Sequence, residues 1–307
     1  MQPTRRELAL SAVALFWSSR PVPAQDEPVF KLDVKVVNIL ANVLNKNHEI
    51  ISNLTKEDFT VLENGRPQTI TYFARQSDLP LTIGLLVDTS MSQRRVLDAE
   101  RGASFRFIDQ VMRENKDHFF ILQFDMNVQF RQTLTTSRRE LDAALAFVET
   151  PTRNQLRNQS GGGTLLFDAV VTASKDVMKA QPGRKALIVL SDGEDIGSDS
   201  SLANAIEEAQ RADTLIYAIL FSDSNSAEGR RAMVRMAKET GAGFFEVSKK
   251  LNIEQVFDVI QDELRSQYSL GYVSDVPVRI SEFRKLQLTT KHQGLIVQAR
   301  DRYWAKR

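Results

Sequence analysis

Hydrophobic and polar residues follow three successive rhythms along the chain. Over residues 29–37 apolar and polar positions alternate, as in a half-buried strand, and 39–44 continue in the same way. A turn cluster, Asn45-Lys46-Asn47-His48, follows. Residues 54–59 predict a brief helical turn capped by Thr55. Residues 59–63, the pair Asn64-Gly65 and residues 69–73 predict a hairpin, because Asn-Gly supplies the positive φ angles of a tight turn. From about 80 to 265 the rhythm changes. Apolar runs at 81–87, 186–190 and 214–221 read as strands buried on both faces, with 118–124 as a further strand and 243–247 as a short one. Between them lie segments whose apolar residues recur every three to four positions. Val96, Ala99, Ala103, Phe107 and Val111 mark the first, 94–112; the others are 137–148, 165–179, 202–212, 227–240 and 253–266. Residues 128–132 predict a short edge strand, antiparallel to its neighbour. Beyond 266 the alternation of two returns, with Tyr268, Leu270 and Tyr272 on one face, and further strands at 283–289 and 295–299 around the turn His292-Gln293-Gly294.

The middle of the chain therefore predicts an α/β fold, a doubly wound, mostly parallel sheet with helices on both faces. Three or four strands in the N-terminal flank would be marginal by themselves. The two flanks are expected to combine into one small β-sandwich, with the α/β part inserted between them. The expected organisation is a leader over 1–24, an N-terminal β segment over 25–77, the α/β domain over 78–266, and a C-terminal β segment over 267–307 that pairs with the N-terminal one.

The leader is read from Arg5 and Arg6, a short apolar run over 8–17, and the small residues of Val22-Pro23-Ala24. This is the pattern of a secretory signal peptide, with mature protein from about Gln25, and it partly resembles a twin-arginine signal. An exported protein, periplasmic or extracellular, is expected, without a transmembrane span in the mature chain. The 307 residues are 42% hydrophobic with net charge +1, which suits one or two globular domains and gives no reason to expect nucleic acid as a partner. The absence of cysteine excludes disulfides, thiolate metal sites and cysteine nucleophiles.

Chemistry enters where the run 81–87 stops at Asp88, with hydroxyls at Thr89, Ser90 and Ser92 after it. Ligands of open α/β sheets bind just past the carboxyl ends of such strands. Asp88, Ser90 and Ser92 alternate, so a tight loop can point their oxygens at one spot. Hard oxygen donors of low charge suit Mg²⁺, and Mn²⁺ or Ca²⁺ less selectively. A plainer reading has Asp88 end the strand and Ser92 cap the next helix. Two later stretches favour the metal: the flexible loop Gly161-Gly162-Gly163-Thr164, and a second buried run ending at Asp192-Gly193.

With these residues in place, the chain resembles a von Willebrand factor A domain with a complete metal-ion-dependent adhesion site. The family's D-x-S-x-S falls on Asp88-Thr89-Ser90-Met91-Ser92, its threonine on Thr164 and its second aspartate on Asp192. The resemblance implies that the hydroxyls bind the ion directly, while one or both aspartates act through water. It also implies an open coordination position, to be filled by an Asp or Glu carboxylate of a protein or matrix ligand. The run from Leu54 to Gly65, L-T-x-x-D-F-x-V-x-x-N-G, is similar to a segment of bacterial exported vWA-related proteins. Thr89 and Met91 are expected to be packing or rim residues. Asp168 is either an orienting group for the Thr164 loop or an ordinary first-turn aspartate. Loops 154–163 and 222–228 are expected to set specificity.

Enzyme readings compete poorly. Ser90 stands where a haloacid-dehalogenase phosphatase needs a second aspartate, and the Gly-Gly-Gly-Thr loop lacks the lysine of a P-loop. His48, His118 and His292 are far apart, and no general base is evident beside Asp88. A non-enzymatic, metal-dependent binding module is the expected class. The alternatives are a non-catalytic vWA subunit of a larger assembly, against which the leader counts, and more weakly a metal-dependent hydrolase.

Overall fold

The computed structural model describes residues 36–47, 49–75, 80–150, 163–221 and 226–306. The expected leader, most of the first predicted strand, His48, Gly161, Gly162 and most of loops 154–163 and 222–228 lie outside the described residues.

The N-terminal flank supplies β1 (Val36–Leu44), β2 (Phe59–Glu63), β3 (Arg66–Gln68) and β4 (Ile70–Arg75). The middle alternates β5 (Leu81–Asp88), α1 (Leu97–Val111), β6 (His118–Phe124), β7 (Val128–Thr135), α2 (Arg138–Leu145), α3 (Leu166–Thr172), β8 (Arg184–Ser191), α4 (Leu202–Arg211), β9 (Leu215–Leu220), α5 (Ala227–Thr240), β10 (Phe244–Glu246) and α6 (Ile253–Arg265). The tail returns β11 (Tyr268–Val273), β12 (Glu282–Thr290), β13 (Ile296–Ala299) and β14 (Arg302–Ala305).

The middle strands form one six-stranded sheet in the order β10-β9-β8-β5-β6-β7. All its pairings are parallel except β6 with β7, the antiparallel edge expected from the sequence. Every residue of β5 and β8 is buried, because helices cover both faces. Ile83, Leu85 and Val87 pack with α1, α2 and α6, while Leu86 faces the layer of α3, α4 and α5. The strand order turns at β5, which has β6 on one side and β8 on the other. The carboxyl ends of β5 and β8 thus flank the crevice where doubly wound sheets place ligands.

The flanks form two four-stranded sheets, β13-β1-β11-β4 and β14-β12-β2-β3. Each mixes N- and C-terminal strands, and one apolar cluster joins them, with Ile39, Val43 and Leu270 from one sheet and Val61, Leu286 and Leu288 from the other. The structure corrects the predicted hairpin. Asn64 and Gly65 do turn at positive φ, 48° and 81°, but β2 pairs with residues 66–68. The predicted second strand, 69–73, crosses to the other sheet and pairs with β11. Pro67 lacks a donor and fits the short edge strand β3. The predicted helix 94–112 is also shorter: residues 91–95 form a tight turn, and α1 begins at Leu97.

Candidate metal centre

Asp88 is the last residue of β5 and is fully buried. Both of its oxygens are engaged. Oδ1 accepts from the Ser90 amide at 2.9 Å, which folds the chain back after the strand. Oδ2 accepts from the Ser191 hydroxyl at 2.6 Å, at the end of the adjacent strand β8. The two strands run level, with Val87 opposite Leu190, so the side chains that follow meet. The Ser90 and Ser92 hydroxyl oxygens lie 2.9 Å apart, brought together by the turn over 91–95. Three of the predicted residues therefore converge directly.

Asp192 follows β8 and is also buried. Its Oδ1 accepts from the Glu194 amide at 3.1 Å, and its charge bears on Asp88. The turn is held by glycine on both sides. Gly193 has φ +79°, and a Cβ there would lie 2.4 Å from the Gly229 carbonyl oxygen of α5. A Cβ on Gly229 would in turn lie 2.6 Å from the Asp192 carbonyl oxygen. The backbone at Asp192 can sit this close to the first turn of α5 because neither glycine carries a side chain.

Thr164 is buried, and backbone bonds hold its loop. It exchanges amide and carbonyl with Ile196 at 2.9–3.0 Å, and the next amide, of Leu165, donates to the Asp125 carbonyl at 2.8 Å. Asp125, just past β6, closes the ring of loops, since its Oδ2 accepts from the Thr89 hydroxyl at 2.9 Å. Thr89 is thus a fully buried packing residue, and Met91 is exposed at the rim. Asp168 holds a neighbouring loop: its carboxylate accepts from the amides of Asp199 and Ser200, each at 2.9 Å. His118 starts β6 at the opposite end of the sheet, and His292 pairs with Asp58 in the sandwich at 2.8 Å.

Glu100, which the sequence reading passed over, is fully buried in the first turn of α1. Among the described residues, neither of its carboxylate oxygens has a hydrogen-bond partner. Burial first, and then the charges of Asp88 and Asp192, hold its carboxyl well above the usual glutamate range. Burial likewise pushes Asp88 up to about 7, with Asp192 adding to the effect and the bonds from Ser191 and Ser90 opposing it. Burial and repulsion between neighbouring acids are thus the causes of both shifts. Among the described residues, no three His, Cys, Asp or Glu side chains converge at ligand spacing. A cation here would have to rely on hydroxyl oxygens and water as well as carboxylate. Hard divalent ions accept such a donor set, and Mg²⁺ keeps several waters by preference. The residues present fit such an ion.

The chain belongs to the von Willebrand factor type A domain family, whose model matches residues 82–259. Comparison with curated protein sequences gives no match. Among solved structures it is similar to proximal thread matrix protein 1 from the mussel byssus, with TM-score 0.52 and 15% identity over 66% of this chain and 51% of that one. It is also similar to a von Willebrand factor type A protein from Catenulispora acidiphila, with TM-score 0.51 and 12% identity over 89% of this chain and 75% of that one. The match spans about half the length of the mussel protein. At these identities the likeness shows the fold alone.

Proposed function

We propose that this protein is an exported binding module that captures a protein or matrix ligand through a divalent ion. In this reading Ser90, Ser92 and Thr164 supply neutral oxygens, and Asp88 and Asp192 supply charge, one or both through water. Mg²⁺ is the first choice of ion, with Mn²⁺ or Ca²⁺ as less selective fits. The bound ion would supply an electrophilic position for an outside oxygen, and the matching group on a partner is an Asp or Glu carboxylate. The observation that carries the reading is the junction of β5 and β8: Asp88 is clamped by Ser191 and the Ser90 amide, and beside it the Ser90 and Ser92 hydroxyls lie 2.9 Å apart.

The chain's own residues do the positioning. Ser191 and the Ser90 amide orient Asp88, the Gly193–Gly229 contact fixes the backbone of Asp192, and Asp125 ties the Thr89 and Thr164 loops together. Export rests on the leader pattern of 1–24, and among the described residues no helix is long and apolar enough to cross a membrane. The reading treats 78–266 as the binding domain and the segments 25–77 and 267–307 as its sandwich. The deciding experiment is capture from envelope and matrix extracts on immobilised full-length protein, in millimolar Mg²⁺ against EDTA. Ligand retained in Mg²⁺, released by EDTA and not retained by Asp88→Ala supports the reading. Retention that ignores both treatments overturns it.

A further inference from the structure

Glu100 occupies a position the helix would ordinarily give to an apolar residue. Leu97, Ala103 and Phe107 of α1 are buried in the core on one side of the sheet, and Glu100 lies on the same stripe. It is 0% exposed, and both of its oxygens lack a partner. The charges that act on it, after burial, are Asp88 and Asp192. Among the described residues, no arginine or lysine is hydrogen-bonded to it. A buried carboxyl without a partner is costly whether it keeps its charge or takes up a proton, and buried acids are usually paired or serve a metal. A purely structural filler at this place would be met more simply by leucine or alanine. Glu100 instead stands in the first turn of α1, directly after the turn over 91–95 that follows β5, which puts it at the same end of the sheet as Asp88 and Asp192.

We propose that Glu100 is a third acidic group of that centre, which would act on a bound ion through water. The inference rests on the metal reading above and deepens it. The contact is through water because the three carboxylates do not converge at ligand spacing. Water on a divalent ion is polarised and donates strongly, so it would satisfy oxygens that the protein leaves unpaired. The consequence is one of charge. Asp88 and Asp192 alone match the ion's two positive charges. Glu100 adds a third negative charge, so the ion is held before any partner arrives. The ion is then a resident part of the domain, and a partner joins a site that is already loaded.

The test uses the full chain, with Mn²⁺ as probe, because the electron paramagnetic resonance of free Mn²⁺ reports its binding without a partner or an activity. Wild type and Glu100→Gln are titrated, and thermal unfolding of both is recorded in EDTA. The glutamine keeps the shape and removes the charge. The expected result is a tenfold or greater loss of Mn²⁺ affinity in Glu100→Gln, of the size seen when groups behind metal ligands are removed. Its midpoint in EDTA should equal or exceed that of wild type, because the fold no longer has to bury an unpartnered carboxyl. A merely structural glutamate would give the reverse, a lower midpoint and unchanged affinity. If Glu100→Gln does not fold, Glu100→Met, an apolar filler of similar length, is measured in the same way. Wild type that binds Mn²⁺, with a variant less than tenfold weaker, overturns this inference and leaves the metal reading standing. Wild type that binds none overturns both.

Discussion

The Ser191 hydroxyl donates to Asp88 Oδ2 at 2.6 Å, joining the last residues of two adjacent parallel strands side chain to side chain. The same Ser191 oxygen accepts the Gly193 amide at 3.0 Å, so one hydroxyl orients both halves of the centre. Ser191→Ala should therefore act on Asp88 and on the Asp192 turn together. A hydrogen bond to a charged group contributes about 1.5–3 kcal/mol. The variant should lose about that much stability in millimolar Mg²⁺, and the stabilisation by Mg²⁺ should shrink. Urea unfolding in Mg²⁺ and in EDTA measures both; an unchanged Mg²⁺ effect would remove Ser191 from the centre.

The metal itself gives the next expectation. In the proposed centre Asp88, Ser90, Ser92, Thr164 and Asp192 come from three loops distant in sequence, so the unfolded chain should bind the ion poorly. Metal at a hundredfold excess over Kd should stabilise the native state by about 2.7 kcal/mol. Asp88→Ala should abolish that gain, and in EDTA it should cost little, since Asp88 is a buried acid pressed by Asp192. Thr164→Ala should show the same pattern more mildly. Thermal unfolding in EDTA and in Mg²⁺ or Mn²⁺ checks this, and equal metal-induced shifts in wild type and Asp88→Ala would falsify the assignment.

How much of this was legible in the sequence depends on how each signal is made. The runs that became β5 and β8 were plain because strands buried on both faces must be apolar throughout. Asp88 and Asp192 stood out because each ends or follows such a run. Asp125 directly follows the run of β6 by the same rule, yet no serine pair after it drew attention. Glu100 and Glu63 share another signal: each is a carboxylate on a stripe whose neighbours point inward, Leu97 and Ala103 for one, Phe59 and Val61 for the other. Periodicity treats them as surface residues because it assumes that charge faces water. The pairing of β3 was not legible, since Arg66–Gln68 has no apolar pattern and its position depends on where β4 crosses to the other sheet. β14 was not among the predicted strands, which end at residue 299.

Glu263 of α6 gives a pH-dependent expectation away from the metal. It is 3% exposed, and burial pushes its carboxyl up to about 7 while the neighbouring Tyr217 hydroxyl opposes the rise. The folded chain thus keeps a proton that the unfolded chain releases near the ordinary value of 4.5. Between about 4.5 and 7 the folded state binds more protons, so this group's contribution falls as pH rises and is level above that range. Glu263→Gln should match wild type near pH 4 and exceed it by on the order of 2 kcal/mol at pH 8. Urea midpoints of both proteins across that range test it; a difference that does not grow with pH would show that Glu263 is not the group responsible.

The last expectation concerns how the flanks hold each other. β1 lies between β11 and β13, and β2 lies between β12 and β3, so the strands before the central sheet take main-chain partners from after it. A buried network repeats this in side chains. Glu63 accepts from the hydroxyls of Tyr272 at 2.6 Å, Tyr303 at 2.9 Å and Ser274 at 2.6 Å, and from Arg284 Nη1 at 2.9 Å. Glu63 and Arg284 are 2% and 1% exposed, so neither charge can turn to water if the other is removed. Glu63→Ala should then cost about 3 kcal/mol, at the low end for a broken buried pair because Arg284 keeps the Val276 and Pro277 carbonyls. Ending the chain after Arg265 removes every partner of Glu63 named here, together with β11 to β14. Residues 36–75 should then become open to proteolysis, while 78–265 stays resistant and unfolds cooperatively. Limited proteolysis of the two chains side by side decides the matter. If the shortened chain is cut no faster within 36–75 than full-length protein, the flanks do not depend on each other, and the shared sandwich is not what stabilises them.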